Sequence, residues 1–336
     1  MRIEPFSLAL ASPLSTARGT IDTREGFLVT IDHEGTRGVG EATPLPGWTE
    51  SLDECRTALD RARDIDDWSA ALDALDGTPA ARHGLALALA DARSRAADLP
   101  LYRHLGGDPT NELPVNATIG DGSIDESVAA ATAAVERGFE ALKLKVGAQA
   151  VAEDVERVAA VRNAIGEDVE LRADANGAWD RETARAALDG FADAGLAYVE
   201  QPLPADDLAG HADLRGRVPI ALDESLATHS IERVLAADAA DVLIVKPMAL
   251  GGPDRAREAV LAAREAGCEA VLTTTIDGAL ARSGAVHVAA SLPDLPAAGL
   301  ATADRLAKNL VPDPAPIVDG HARVPQESGN APLEDR

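Results

Sequence analysis

From about Pro114 onward, short apolar runs alternate with longer stretches whose apolar residues recur at helical spacing. The runs are Val115–Ile119, Ala141–Val146, Val169–Asp174, Tyr198–Glu200, Ile220–Asp223, Val242–Lys246, Ala270–Thr274 and Gly299–Ala301. Their length and apolar character predict strands, with amphipathic helices of about ten to sixteen residues between them. Ser123-Ile124-Asp125-Glu126 has the form of a capping box and opens one helix, and Asp180 is placed to cap another. Gly138, Gly195 and Gly267 each stand just before a strand, where a glycine in the left-handed conformation ends a helix. The repeated helix–glycine–strand unit predicts an α/β fold, and eight strands in this rhythm predict a closed parallel barrel. A doubly wound sheet is the rival. Its glycine-rich phosphate loop is missing after the first strand, where Gly120-Asp121-Gly122-Ser123 reads as a capped turn.

The first 105 residues lack this rhythm. Phe27–Ile31 and Thr36–Val39 read as a hairpin joined by Asp32-His33-Glu34-Gly35, and helices follow near Ser51–Arg63 and Ala80–Ala97. This part is α+β. The end, Pro325–Arg336, is polar and is expected to fray.

Composition narrows the chemistry. The net charge of −25 argues against nucleic acid, whose phosphates would be repelled. No apolar run approaches a membrane span, and Met1-Arg2-Ile3-Glu4-Pro5 has no signal-peptide pattern, so a cytoplasmic protein is expected. Cys55 and Cys268 read as buried reduced thiols. Acidic residues spread along the chain, with 4 lysines among 31 basic residues, suggest a salt-rich, halophilic cytoplasm; a merely acidic soluble protein is the plainer alternative. Three of those lysines lie in apolar runs: Lys143, Lys145 and Lys246. A desolvated lysine can give up its proton at working pH, and arginine cannot.

Spacing joins these lysines to three acids. Lys145 to Asp174 is 29 residues, Asp174 to Glu200 is 26, Glu200 to Asp223 is 23 and Asp223 to Lys246 is 23. Each step is one βα unit, so five successive strands bring one ionisable group to the end where barrel enzymes keep their active sites. Alternation puts Lys143 and Lys145 on one strand face, with Leu142, Leu144 and Val146 on the other. Arg172, Asp174 and Asn176 share a face in the same way. A lone strand-end acid is more often a cap or an ion-pair partner; five such groups in register are not explained that way. Three converging carboxylates without histidine or cysteine form a hard oxygen site suited to Mg²⁺, with Mn²⁺ as a substitute. Such a site can stabilise the two charges of an enediolate made by removing a proton beside a carboxylate. A lysine next to a cation and a second lysine is a candidate neutral base.

At these positions the chain resembles the muconate-cycloisomerase-like group of the enolase superfamily. The matching pieces are Lys143-Leu144-Lys145, Asp174-Ala175-Asn176-Gly177-Ala178-Trp179, Glu200-Gln201-Pro202, Asp223-Glu224-Ser225, Val245-Lys246-Pro247 and the early stretch Gly38-Val39-Gly40-Glu41-Ala42-Thr43-Pro44-Leu45-Pro46-Gly47. The resemblance implies a modified TIM barrel, (β/α)₇β, over about 106–305. It also implies an α+β capping domain at 1–105, completed by about 306–336. Asp174, Glu200 and Asp223 would be metal ligands, Lys145 the base, Lys143 its partner and Lys246 the lysine of the opposite face. Asn176, Thr274 and Thr275 would contact substrate. Arg18, Arg24 and Trp48 are candidates to line the cap, and each also fits as ordinary surface or core. The implied partner is a small-molecule carboxylate, without nucleic acid or membrane; a homo-oligomer stays open. Within the group the chain is most similar to members that eliminate water from a hydroxy-cyclohexadiene carboxylate, with racemases and epimerases as alternatives. Dipeptide epimerases carry an Asp-x-Asp pair after the eighth strand, where this chain has Ala301-Thr302-Ala303-Asp304. Outside the group, a Schiff-base lysine aldolase is the alternative that the three carboxylates argue against.

Overall fold

The computed structural model describes residues 1–16 and 19–332. Three antiparallel strands open the chain: β1 (Arg2–Thr16), β2 (Gly19–His33) and β3 (Thr36–Ala42). The predicted hairpin is present. Glu34 and Gly35 both take positive φ, and the Gly35 amide donates to Asp32 Oδ1 at 3.0 Å. β1 was not foreseen from the pattern. It is a mostly exposed edge strand; Phe6, Leu8 and Leu10 alternate with exposed Ser7, Ala9 and Ala11, but Pro5 and the apolar alanines blur the pattern in the sequence. The helix Pro79–Ala96 packs on β3 so closely that a Cβ at Gly40 would lie 2.0 Å from the Gly84 carbonyl oxygen. The glycines of Gly38-Val39-Gly40 thus let a helix backbone approach a strand backbone. The helix Leu52–Ala62 begins at Ser51 with a full capping box to Glu54.

After the short β4 (Glu112–Pro114), seven parallel strands follow: β5 (Asn116–Ile119), β6 (Ala141–Lys145), β7 (Glu170–Asp174), β8 (Leu196–Glu200), β9 (Ile220–Leu222), β10 (Val242–Val245) and β11 (Glu269–Leu272). They neighbour one another in sequence order. The eighth predicted strand is reduced to two bridges, Ala298 to Val115 and Gly299 to Thr273. Those bridges join the two edges of the curled sheet. The Asn116 amide donates to Ala298 O at 2.9 Å, and the Gly299 amide to Leu272 O at 2.8 Å. The intervening helices end as predicted, with Gly138, Gly195 and Gly267 at φ of 85°, 60° and 74°. Ser123 and Asp180 cap the helices that follow them.

Strand alternation sorts the core into two layers. Leu142, Leu144, Leu171, Ala173, Leu243 and Val245 belong to the large core under the helices. Tyr198, Ala221, Val242, Ile244 and Val271 form a separate cluster inside the barrel. Below the mouth, Arg172 is fully buried, stacks over Tyr198 at 5.1 Å and donates to Asn116 Oδ1 and Ala297 O.

The chain then returns toward its start. Leu306 bridges Leu10, β12 (Ile317–Val318) pairs with β13 (His321–Arg323), β13 pairs in turn with β4, and Gly329 bridges Pro100. The expectation of a frayed end fails for 325–332. Asn330 is buried, its amide donates to Asp91 Oδ1, and its carbonyl accepts from Ser283 Oγ. Polar residues mislead here because their partners come from two distant helices rather than from water.

Candidate active site

The sequence-predicted groups gather at the carboxyl ends of β6 to β10. Lys143 and Lys145 point inward from β6 while Leu142 and Leu144 face the helices, as period-2 alternation requires. Lys143 Nζ lies 3.0 and 2.8 Å from the two Glu200 oxygens and 3.3 Å from Asp174 Oδ2. Lys145 Nζ donates to the same Asp174 oxygen at 2.6 Å and to Asn176 Oδ1 at 2.8 Å. Asp223, one residue past β9, accepts from Lys246 Nζ at 2.7 Å. Asp174, Glu200 and Asp223 are all buried; the Lys145 side chain keeps 34% exposure against 10% for Lys246.

Electrostatics follows from burial and crowding. Burial and then the Asp174 and Asp223 charges push the Glu200 carboxyl up to about 8, with Lys143 offsetting them in part. Burial works against the Lys143 ammonium, yet the Glu200 and Asp174 carboxylates outweigh it and hold that amine well above the ordinary lysine range. Burial disfavours the Asp174 carboxylate too, but Lys143 and Lys145 reverse the balance and hold it below the usual range.

A divalent cation of the magnesium type needs oxygen donors that converge on one point. Among the described residues no three His, Cys, Asp or Glu groups stand together in ligating geometry, because the lysine amines lie between the acids. Three features favour a cation all the same. The donors are hard oxygens at the ends of neighbouring strands. Asp223 Oδ1 and Glu224 Oε2 are buried without a hydrogen-bond partner. Burial, joined by the Asp174 and Asp223 charges, disfavours the Glu200 carboxylate, a cost that a bound cation would offset.

The remaining candidates divide. Asn176 adopts φ of 46°, which asparagine tolerates, and bridges Lys145 to Glu224 Oε1 at 3.0 Å. Thr274 and Thr275 are buried in the loop after β11; Thr274 Oγ1 meets Thr302 Oγ1 at 3.2 Å, and Thr275 Oγ1 donates to Asp277. Arg24 is buried and donates to the Thr43, Pro44 and Ile276 carbonyls. Arg18 lies outside the described residues. Trp48, on the cap loop, covers Lys246: Nζ sits 3.3 Å from the ring centroid.

Two residues beside the strand-end acids have roles that the sequence pattern did not disclose. Gln201 Oε1 accepts the Asp223 and Ser225 amides at 3.0 and 3.1 Å, which fixes the turn carrying Asp223. Burial and the Asp223 charge raise the Glu224 carboxyl. Their signal was adjacency to a strand-end acid, at Glu200-Gln201 and Asp223-Glu224.

Residues 126–331, more than half the chain, match the family model described as Enolase C-terminal domain-like. The chain belongs to the enolase superfamily. A second model, the MenC N-terminal domain, matches residues 2–92. Among relatives in the superfamily, o-succinylbenzoate synthase of Thermobifida fusca is 34% identical over 93% of this chain and 85% of its own length. The L-Ala-D/L-Glu epimerase of Bacillus subtilis is 33% identical over 87% of this chain and 85% of its own. A dipeptide epimerase of Enterococcus faecalis, solved with Mg and the dipeptide L-Leu-L-Tyr, superposes with a TM-score of 0.88 at 26% identity, covering 98% of each chain. The barrel with a separate antiparallel cap is therefore the enolase-superfamily architecture.

Proposed function

We propose that this enolase-superfamily enzyme is a Mg²⁺-dependent o-succinylbenzoate synthase of menaquinone biosynthesis. As a hydro-lyase it would remove water from 2-succinyl-6-hydroxy-2,4-cyclohexadiene-1-carboxylate. The observation that carries the choice is the cap. The cap closes over the barrel mouth, and residues 2–92 match the MenC N-terminal domain. The single acid Asp304 after the closing segment, where an Asp-x-Asp pair would hold a dipeptide ammonium, agrees with this. We take the cap as residues 1–105 with 306–336 and the barrel as 106–305, a division supported by the bridges Leu10–Leu306 and Pro100–Gly329.

The residues take these roles. Asp174, Glu200 and Asp223 would hold Mg²⁺. Bound there, the cation would supply electrostatic stabilisation for negative charge building on the substrate carboxylate. Lys145, the more exposed amine, takes the α-proton; in a syn elimination the same face returns a proton to the departing hydroxyl. Lys143 keeps its charge between Glu200 and Asp174 and stands beside Lys145 as a fixed second cation. Lys246, fixed between Asp223 and Trp48, acts as a stationary cation on the opposite face. Asn176 and the Thr274–Thr275 turn orient the substrate. Aromatisation of the ring drives the reaction, so positioning and charge are what the protein must provide.

A racemase or epimerase is the second reading, favoured by the two opposed lysines and by the epimerase relatives. It needs Lys246 to exchange protons, against which its enclosure by Asp223 and the Trp48 ring weighs. The deciding experiment assays the dehydration substrate, N-succinylamino acids and dipeptides side by side with Mg²⁺. Dehydration with the highest kcat/KM supports the synthase; racemisation or epimerisation alone overturns it. Borohydride trapping of Lys145 or Lys246 with a carbonyl substrate would instead indicate an aldolase.

A further inference from the structure

Glu41, on β3 of the cap, is fully buried and reaches the start of the helix that follows β11. Its Oε1 accepts the Gly278 amide at 2.7 Å and its Oε2 the Ala281 amide at 3.0 Å. Thr43 Oγ1 donates to Oε1 at 2.5 Å. Gly278 and Ala281 open the 12-residue helix Ala279–Ala290, which follows the loop after β11. The Ala279 amide between them goes to Asn309 Oδ1 at 2.7 Å. A helix start presents unpaired amides, and here the cap provides the carboxyl that accepts them, although burial and the Asp277 charge push that carboxyl up to about 7. Gly278 leaves room for it: a Cβ there would stand 2.7 Å from Glu41 Oε2.

Two residues earlier, Ile276 holds φ of 59°, a left-handed conformation that a β-branched residue keeps only when its surroundings impose it. Its carbonyl accepts Arg24 Nε at 3.1 Å, and Arg24 is anchored in the cap by the Thr43 and Pro44 carbonyls. The cap therefore grips the loop at the strained position itself and again two residues beyond it.

We propose that Glu41 is a positioning residue that holds the 273–278 loop, and with it Thr274 and Thr275, in the conformation that receives substrate. The inference rests on reading that loop as a wall of the proposed active site. Glu41 touches no reacting atom, so its loss acts on substrate binding more than on the chemical step.

The test uses four variants of the full chain: Glu41→Gln, Glu41→Ala, Gly278→Ala and the double Glu41→Ala/Gly278→Ala. Glu41→Gln keeps the side-chain volume and turns one acceptor into a donor facing an amide, so it serves if the alanine variant folds poorly. Hydrogen exchange of segment 273–281 is expected to rise in each single variant, and KM for the best substrate to rise about tenfold with kcat within about threefold. The double variant is expected to be no worse than Glu41→Ala alone, because the new methyl occupies the space the carboxylate left. Unchanged exchange, unchanged KM alongside raised exchange, or simple additivity of the two alanine substitutions overturns the proposal. If the wild type turns over none of the candidate substrates, the functional reading falls, while hydrogen exchange of 273–281 across the four variants, which needs no substrate, still decides whether Glu41 holds the loop.

Discussion

Lys145 and Lys246 carry the same functional group with different freedom. Lys145 stands partly open to solvent on Asp174 and Asn176, whereas Lys246 is enclosed by Asp223 and the Trp48 ring. A base must move its proton; a stationary charge must not move. Lys145→Ala is therefore expected to lower kcat by roughly 10²–10⁴-fold with the circular dichroism spectrum unchanged. Lys246→Ala should lose comparable rate. Lys246→Arg, which retains charge but cannot give up a proton at working pH, should recover part of a dehydration but none of a racemisation. Near-normal turnover in either alanine variant would remove that lysine from the mechanism. EDTA should abolish activity, with Mg²⁺ or Mn²⁺ restoring it; full activity after exhaustive chelation would sink the metal role. These six strand-end groups were legible because a period of two and a spacing of one βα unit place them without knowledge of any loop. Trp48 could be named only as a candidate cap-lining residue; its contact with Lys246 joins a cap loop to a barrel strand, and nothing in either local pattern specifies that pairing.

At the scale of elements, the same contrast holds. Barrel strands and their glycine-terminated helices could be read from pattern because each is a local unit with its own caps, such as Ser123 and Gly138. Elements held by distant partners could not. The alternation of β1 is blurred by Pro5 and its alanines, and the C-terminal strap is polar, yet Asn330 is locked between Asp91, Ser283 and His287. His287 makes that lock sensitive to acid. Its Nδ1 accepts the Tyr102 amide at 3.2 Å and its Nε2 meets Asn330 O at 2.9 Å, which assigns the ring proton to Nε2. Burial lowers this histidine from 6.5 to about 4. A depressed folded-state value means stability that is complete above pH 6.5 and lost as pH falls toward 4, amounting to about 3 kcal/mol for this shift. His287→Gln should flatten the pH dependence of Tm across that window, and limited proteolysis of the wild type should begin cutting at 325–332 as the pH drops through it. An identical Tm–pH slope in the two proteins would show that the strap does not depend on this ring.

Across the whole molecule, the excess of acid outweighs any single ion pair. Arginine supplies nearly all the compensating charge, in pairs such as Arg181 with Asp207, Arg215 with Asp241 and Arg82 with Asp254. Its planar fork can bind two carboxylate oxygens at once, which suits a surface that must hold many acids with few bases. Pairing is nonetheless incomplete, and the net charge of −25 is present only as mutual repulsion across the surface. Salt reduces that repulsion by shortening its range from about 10 Å at 0.1 M to about 3 Å at 1 M. Exposed pairs weaken over the same range, but each contributes on the order of 0–1 kcal/mol, so relief of the net charge should dominate. Raising KCl from dilute buffer to about 1 M is therefore expected to raise Tm by roughly 5 °C or more. An uncharged osmolyte at matched osmolality should reproduce little of the gain if screening is the cause. Asp64 and Asp66 are exposed neighbours in the cap, so the double variant Asp64→Asn/Asp66→Asn should gain stability at low salt and lose part of the salt dependence. A Tm that stays level from dilute buffer to molar KCl, or that falls, would mean that the paired arginines and not the unpaired acids control stability.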